Sequence, residues 1–301
     1  MSITVTQQSI WAYLQLMRPA NIVTAWADIL LGYAAAGAVT VNENPNFIIL
    51  GWLILATTGL YGGGVVFNDV FDADLDAIER PERPLPSGRA SLLGAILLGA
   101  GLLLIGITAA AMVSKLSAIF ATTVAIAALL YDKYGKHQTV LGPINMGVCR
   151  GCNLLLGVSA IPEAVDDRWY LALIPIIYIA AITAISQGEV YGGKKITGIV
   201  AIALVGLVIG NIIGLGLLGE YTLVVTLPFL ALFMALVLPP FIKAAITPSP
   251  EFIQTAVKAG VLSLIVLDAT IAAGFASWIY GLLLLALLPV SRSLARLFAV
   301  T

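Results

Sequence analysis

Residues 48–89 read IILGWLILATTGLYGGGVVF followed by NDVFDADLDAIERPERPLPSGR. The first part, Ile48 to Phe67, has the length and apolarity of one bilayer-crossing helix, which needs about 20 such residues. The second part holds Asp69, Asp72, Asp74 and Asp76, then Arg80, Arg83 and Arg89, in a chain that is only 10% charged. Four carboxylates at the mouth of an apolar helix are an expensive arrangement. Negative charge at a helix C-terminus opposes the macrodipole. A straight helix advances about 100° per residue, so Asn68, Asp72 and Asp76 drift only about 80° in total. Asp69 falls in the same arc and Asp74 on the far side. Stacked carboxylates repel, and a bound divalent cation removes that cost. Oxygen ligands suit Mg²⁺, which typically binds one or two carboxylates plus substrate phosphates. Arginines at 80, 83 and 89 can add charge-assisted contacts to the same phosphates. The competing reading is a solvated acidic helix end, with the arginines acting as topology determinants.

The rest of the chain sets this stretch in a membrane. It is 60% hydrophobic with a mean hydropathy of +1.03, which places it among polytopic membrane proteins. Apolar runs lie at about 22–39, 47–67, 91–113, 116–132, 139–161, 169–187, 196–218, 221–245 and 255–275, with a shorter tenth at 278–290. The Gly-Phe-Ala-Ser-Trp stretch at 274–278 predicts a break between the last two. Arg18, Arg80, Arg83, Arg89, Lys133, Lys136, Lys194, Lys195, Lys243, Lys258, Arg292 and Arg296 fall in one alternating set of loops, against Lys115 and Arg168 in the other. The positive-inside rule makes the first set cytoplasmic, together with both termini and the Asp cluster. Both termini on one side require an even number of spans. A net charge of −1 argues against nucleic acid. Cys149 and Cys152 have no second pair for zinc and read as packing residues. Trp11 and Tyr13 give the N-terminus an interfacial character. With no cleavable signal visible, a bacterial plasma membrane is the expected location. No linker divides the chain, so residues 1–301 read as one membrane domain.

Asn68-Asp69-x-x-Asp72-x-x-x-Asp76 followed by Arg83-Pro84-x-Pro86-Ser87-Gly88-Arg89 resembles the first aspartate-rich motif of the UbiA superfamily of membrane prenyltransferases. Arg18-Pro19-Ala20-Asn21 and Lys136-x-x-x-x-Leu141-Gly142 extend the resemblance to about residue 275. The resemblance implies an all-α bundle of nine core transmembrane helices, here with a tenth C-terminal one, around a cavity open to lipid. It implies a polyprenyl diphosphate bound through Mg²⁺, loss of diphosphate, and capture of the allylic cation by a small acceptor, often aromatic. Metal and basic groups would stabilise the leaving diphosphate, and a dry cavity would protect the cation from water. On this reading Asn68, Asp69, Asp72 and Asp76 hold the metal, with Asp72, Asp76 and Glu189 catalytic. Asn68, Arg83, Arg89, Lys133, Arg150 and Lys195 bind substrate. Lys133 and Lys136 compete for the diphosphate contact in the basic loop.

The family's second acidic motif, D-x-x-x-D, departs here. Residues 184–195 read AISQGEVYGGKK. Glu189 takes the place of the second aspartate and Ile185 that of the first. This stretch, with Cys149-Arg150-Gly151-Cys152-Asn153 and the C-terminal Leu297-Phe298-Ala299-Val300-Thr301, resembles the EboC subgroup, which is associated with export of a metabolite precursor. A non-catalytic or weakly catalytic protein assisting such export is therefore the alternative to a prenyltransferase. Within the membrane, Arg150 is expected either to contact substrate or to pair with Asp28 or Asp268. His137, the only histidine, reads as a solvated loop residue. The Gly62-Gly63-Gly64 run allows close approach of a helix or an isoprenoid tail.

Overall fold

Local signals set the helix ends. The structure is a computed structural model describing residues 2–39, 45–138 and 140–298. The last residues of the EboC-like tail, 299–301, and the side chain of His137 lie outside what it describes. The helices are α1 (Ser2–Met17), α2 (Pro19–Ala35), α3 (Phe47–Phe71), α4 (Ala73–Glu79), α5 (Leu92–Ala111), α6 (Lys115–Lys133), α7 (Leu141–Val158), α8 (Ala164–Arg168), α9 (Leu173–Ser186), α10 (Lys195–Leu215), α11 (Leu223–Ile246), α12 (Pro250–Phe275), α13 (Trp278–Leu285) and α14 (Leu287–Phe298). No strand occurs among the described residues. Asn46 caps α3 by accepting from the backbone N–H groups of Ile48 and Ile49 at 3.2 Å. Ser91, Ser114 and Ser277 cap α5, α6 and α13 in the same way. The Ser277 cap is the break expected at 274–278.

Among the described residues eight stretches are long and apolar enough to cross a membrane: α3, α5, α6, α8 through α9, α10, α11, α12, and α13 through α14. The chain is a multi-pass integral membrane protein. The remaining expected runs correspond to α2 and α7. These two carry Asp28, Asn145, Arg150 and Asn153, which lower their apolarity. Successive spans pack on one another from α2 to α12, and α12 returns to α2, closing a ring. Short connections reverse each helix against its neighbour. They gather residues 72–91, 134–138, 187–194 and 247–249 at one end of the ring.

Close contact between α3 and α5 rests on missing side chains. A Cβ on Gly63 would lie 2.8 Å from Leu103 Cγ and 2.9 Å from the Gly99 carbonyl oxygen. Gly64, one residue on, lines the central cavity instead, with Ala128 Cβ 3.3 Å from where its Cβ would stand. The expected close helix approach thus holds at Gly63, while Gly64 borders the cavity. Outside the ring, α14 lies on α2. The Ser291 hydroxyl donates to the Ala20 carbonyl at 2.9 Å, and Trp11 of α1 stacks on Phe298 with ring centroids 4.5 Å apart.

Candidate active site at the mouth of the cavity

A cavity of about 370 Å³ opens between α2, α3, α6, α7, α9 and α12. Thr57, Leu60, Val124 and Ile182 are among its walls. Asn68 and Asp132 stand at its motif end, with Arg150 and Asn153 deeper in.

The first motif builds the mouth, but not as a straight helix. α3 stops at Phe71, and Asp72 takes φ −93°, ψ 3° before α4 begins. The Asp72 N–H still donates to the Asn68 carbonyl (3.0 Å), and that of Asp76 to the Asp72 carbonyl (2.8 Å). The chain direction is therefore nearly kept, and the polar side chains sort into two groups. In one, Asp69 and Asp76 share Arg83, at 3.6 and 2.7 Å, and Asp69 also accepts from Arg18 at 2.6 Å. Asp69 and Asp76 are seven residues apart, two helical turns, which puts them on one face. In the other group, Asp72 pairs with Lys136, and the Asn68 amide donates to Asp132 at 3.0 Å. Asp74 is exposed, as its phase requires.

Arg18 reaches this cluster through an unusual backbone. It has φ 48°, ψ 65°, the sole positive φ on a non-glycine among the described residues. The left-handed conformation costs about 1–2 kcal/mol for an L-residue. It ends α1, lets Pro19 start α2 at the position proline favours, and aims the guanidinium at Asp69. Such local strain is a frequent mark of functional sites.

Four expected site residues stand apart. Arg89 does not reach the carboxylates. It donates to Gln15 Oε1 (2.9 Å), Ser87 Oγ (3.0 Å) and the Glu82 carbonyl (2.6 Å), tying the 80–90 loop to α1. That loop turns at Gly88, whose φ of 72° suits glycine. Lys133 is exposed over the Tyr134 ring at 5.1 Å; of the two competing lysines, Lys136 is the one at the cluster. Lys195 is exposed at the first turn of α10. Glu189 follows α9, half-buried, and does not line the cavity. Burial pushes its carboxyl above the usual range, with Arg80 and Lys258 acting in the opposite direction. Gln254 Nε2 donates to its carbonyl at 3.2 Å. Ile185, in the place of the second motif's first aspartate, is buried.

Deeper in, Arg150 lines the cavity but is fully engaged. Its Nε lies 2.7 Å from Asp28 Oδ2, Nη1 donates to Thr24 Oγ1 at 3.1 Å, and Nη2 donates to the Thr24 carbonyl. Asn153 donates to Asp28 (2.8 Å) and the Ala25 carbonyl (3.0 Å) and accepts from Thr57 (2.7 Å). The partner expected among Asp28 and Asp268 is Asp28, and Asp268 sits against it with Oδ2 unpartnered. Among the described residues no disulfide joins Cys149 and Cys152; both are free, and Cys149 faces the cavity.

Asp132 escaped the sequence reading. Its signal was an aspartate in the last turn of an apolar helix, the same unfavourable position on the macrodipole that drew attention to residues 69–76.

As a metal site the mouth is incomplete by itself. Among the described residues no three His, Cys, Asp or Glu side chains converge as a cage. The oxygen donors of the first motif, Asn68 and Asp72 among them, nonetheless fit a Mg²⁺ that completes its shell with substrate phosphates and water. The buried, unpartnered Asp132 Oδ2 is the atom that most needs such a partner.

Known proteins fit this picture. A digeranylgeranylglyceryl phosphate synthase of Methanothrix thermoacetophila is 31% identical over 153 residues, covering 50% of this chain and 56% of that protein. One of Sulfurisphaera tokodaii is 30% identical over 172 residues, covering 57% and 59%. The chain thus spans a little over half the length of these relatives. Among solved structures, a digeranylgeranylglyceryl phosphate synthase superposes with a TM-score of 0.67 at 22% identity, over 89% of this chain and 98% of that one. A UbiA homologue from Archaeoglobus fulgidus bound to DMAPP and Mg²⁺ gives 0.61 at 17% identity, over 91% and 99%. At these identities the likeness is one of fold. The sequence profile of the UbiA prenyltransferase family matches residues 29–242, from within α2 to within α11, and the chain belongs to that family.

Proposed function

We propose that the protein transfers a prenyl group from its diphosphate to a small acceptor, using Mg²⁺, at the cytoplasmic face of a membrane. The single observation that carries this reading is the mouth cluster: carboxylates and cations held together over an apolar cavity. Its ion pairs are exchangeable. An incoming diphosphate offers Arg18, Arg83 and Lys136 a more highly charged partner, and they release carboxylate oxygens as they turn to it. Mg²⁺, when bound, would supply charge neutralisation of the leaving diphosphate. Asn68, Asp72 and Asp76 are the proposed residues on its side, with Asp69 orienting Arg18 and Arg83. The apolar walls exclude water from the allylic cation until the acceptor captures it.

The relatives named as synthases of a glyceryl phosphate lipid support a hydroxyl acceptor. A phenolic acceptor is the other class to be tested. The loop-charge bias supports the cytoplasmic placement. Labelled geranylgeranyl diphosphate is given to the protein in lipid nanodiscs with Mg²⁺ and acceptors of both classes. Prenylated product and diphosphate release are expected. Asp72→Ala and Asp76→Ala should each lower the rate by at least ~10²–10³-fold, as loss of a transition-state charge contact does. Unchanged rates in both would sink the assignment. Diphosphate binding without product would favour the export-assisting reading, which the loss of an acidic residue at Ile185 motivates.

A further inference from the structure

We infer that Asp132 is a cation ligand of the mouth, forming with Asn68 and Asp72 a divalent-metal half-site that makes up for the carboxylate missing at position 185. The inference rests on the proposed function and names a residue which that reading leaves out.

Three observations meet at this side chain. Asp132 is 4% exposed, in the last turn of α6 on the cavity wall. One oxygen, Oδ1, accepts from the Asn68 amide at 3.0 Å. The other, Oδ2, is buried and has no partner among the described residues. A buried polar oxygen left unpaired is costly unless something binds it. The Asn68 contact holds the amide beside Asp132, with its nitrogen toward Oδ1.

Charge points the same way. At the mouth Asp69, Asp72, Asp76 and Asp132 stand with Arg18, Arg83 and Lys136, so carboxylates outnumber cations by one, an excess that a bound cation offsets in a low-dielectric cavity. Elsewhere the two-motif pattern has lost a carboxylate, Ile185 being buried and apolar. In this chain Asp132 supplies a carboxylate on α6 in its stead.

Mn²⁺ serves as the paramagnetic probe, with inorganic diphosphate, on the full chain in nanodiscs. Free Mn²⁺ is read by electron paramagnetic resonance. Asp132→Asn keeps the side-chain volume and an oxygen for the Asn68 amide, but loses the charge. Asp132→Ala loses both. A ligand role predicts that Asp132→Asn weakens Mn²⁺ binding at least ~10-fold, the lower end of what even outer-shell losses cost, and that Asp132→Glu restores part of it. If Asp132→Asn binds like the parent while Asp132→Ala does not, Asp132 only orients Asn68 and the inference is overturned. Equal binding in all variants overturns it too. If the parent chain itself binds no Mn²⁺ with diphosphate, the Mg²⁺ reading of the proposed function falls along with it. The two failures are therefore distinguishable.

Discussion

At the cavity mouth, Arg18, Arg83 and Lys136 face Asp69, Asp72 and Asp76; at mid-depth, Arg150 faces Asp28. The mouth pairs stand at the water-facing end of the bundle. Arg18 keeps 22% of its side chain accessible and Lys136 14%. Each can exchange a carboxylate for a phosphate without leaving a charge stranded. The deep pair is closed. Asp28 is 0% exposed; Arg150 and Asn153 bond to it, Thr24 and Thr57 bond to them, and Asp268 lies against it. Breaking it would leave an ion in a dry interior. On the proposed function the difference separates two uses of the same chemistry: the mouth to bind, and the deep network to fix α2 against α7 and α3.

Substituting single partners tests that division. Arg150→Ala should lower stability by about 3–5 kcal/mol, because it strands Asp28 in the interior. Equilibrium unfolding in mixed micelles reads this. The double substitution Arg150→Met with Asp28→Leu should recover only part of the loss: packed apolar groups can replace a buried pair, but Asn153 and Asp268 lose Asp28 as a partner. If Arg150→Ala leaves stability intact but weakens diphosphate binding, Arg150 contacts substrate, the other of the two roles expected of it.

A smaller effect separates the two lysines of the α6–α7 loop. Lys136→Gln removes the partner of Asp72 and a proposed phosphate contact. Charge-assisted contacts are worth about 1.5–3 kcal/mol, so diphosphate affinity should fall ~10–100-fold. Lys133→Gln, exposed over Tyr134, should stay within ~2-fold, as surface changes away from such features do. Isothermal titration with inorganic diphosphate and Mg²⁺ compares them. Equal losses would mean that the charge of the loop matters and its geometry does not.

These residues also show what the sequence carries. Apolar runs, the loop-charge bias and the break before Ser277 are local properties, and they were legible. The acidic first motif was legible too, since four aspartates at a helix end need a reason. Partner choice was not. Arg89 meets Gln15 across 74 positions, and Arg18 meets Asp69 across 51 through a left-handed backbone. Lys136 is turned to Asp72 by the short 3₁₀ turn Gly135–His137, which loop composition does not announce. Asp132 was hidden at the end of an apolar run, where hydropathy counts it as a boundary and not as a group to be explained.

Glu189 gives the smallest effect, and it decides whether the second motif joins the mouth. Burial raises its carboxyl above 4.5 in the folded protein. Between the unfolded and folded values the native state binds more protons, so stability falls as pH rises through that window. At neutral pH the charged form carries the full cost; near pH 4 the group is mostly protonated in both states and costs little. Glu189→Gln should therefore raise the thermal unfolding midpoint slightly at pH 7 and leave it nearly unchanged at pH 4. Mg²⁺ with diphosphate sharpens the test. If Glu189 faces bound cations, the ligands favour its charged form, and the benefit of glutamine at pH 7 should shrink or reverse. If Glu189 answers only to Arg80 and Lys258, the ligands should shift parent and variant equally, and the second motif then works as a surface brace apart from the first.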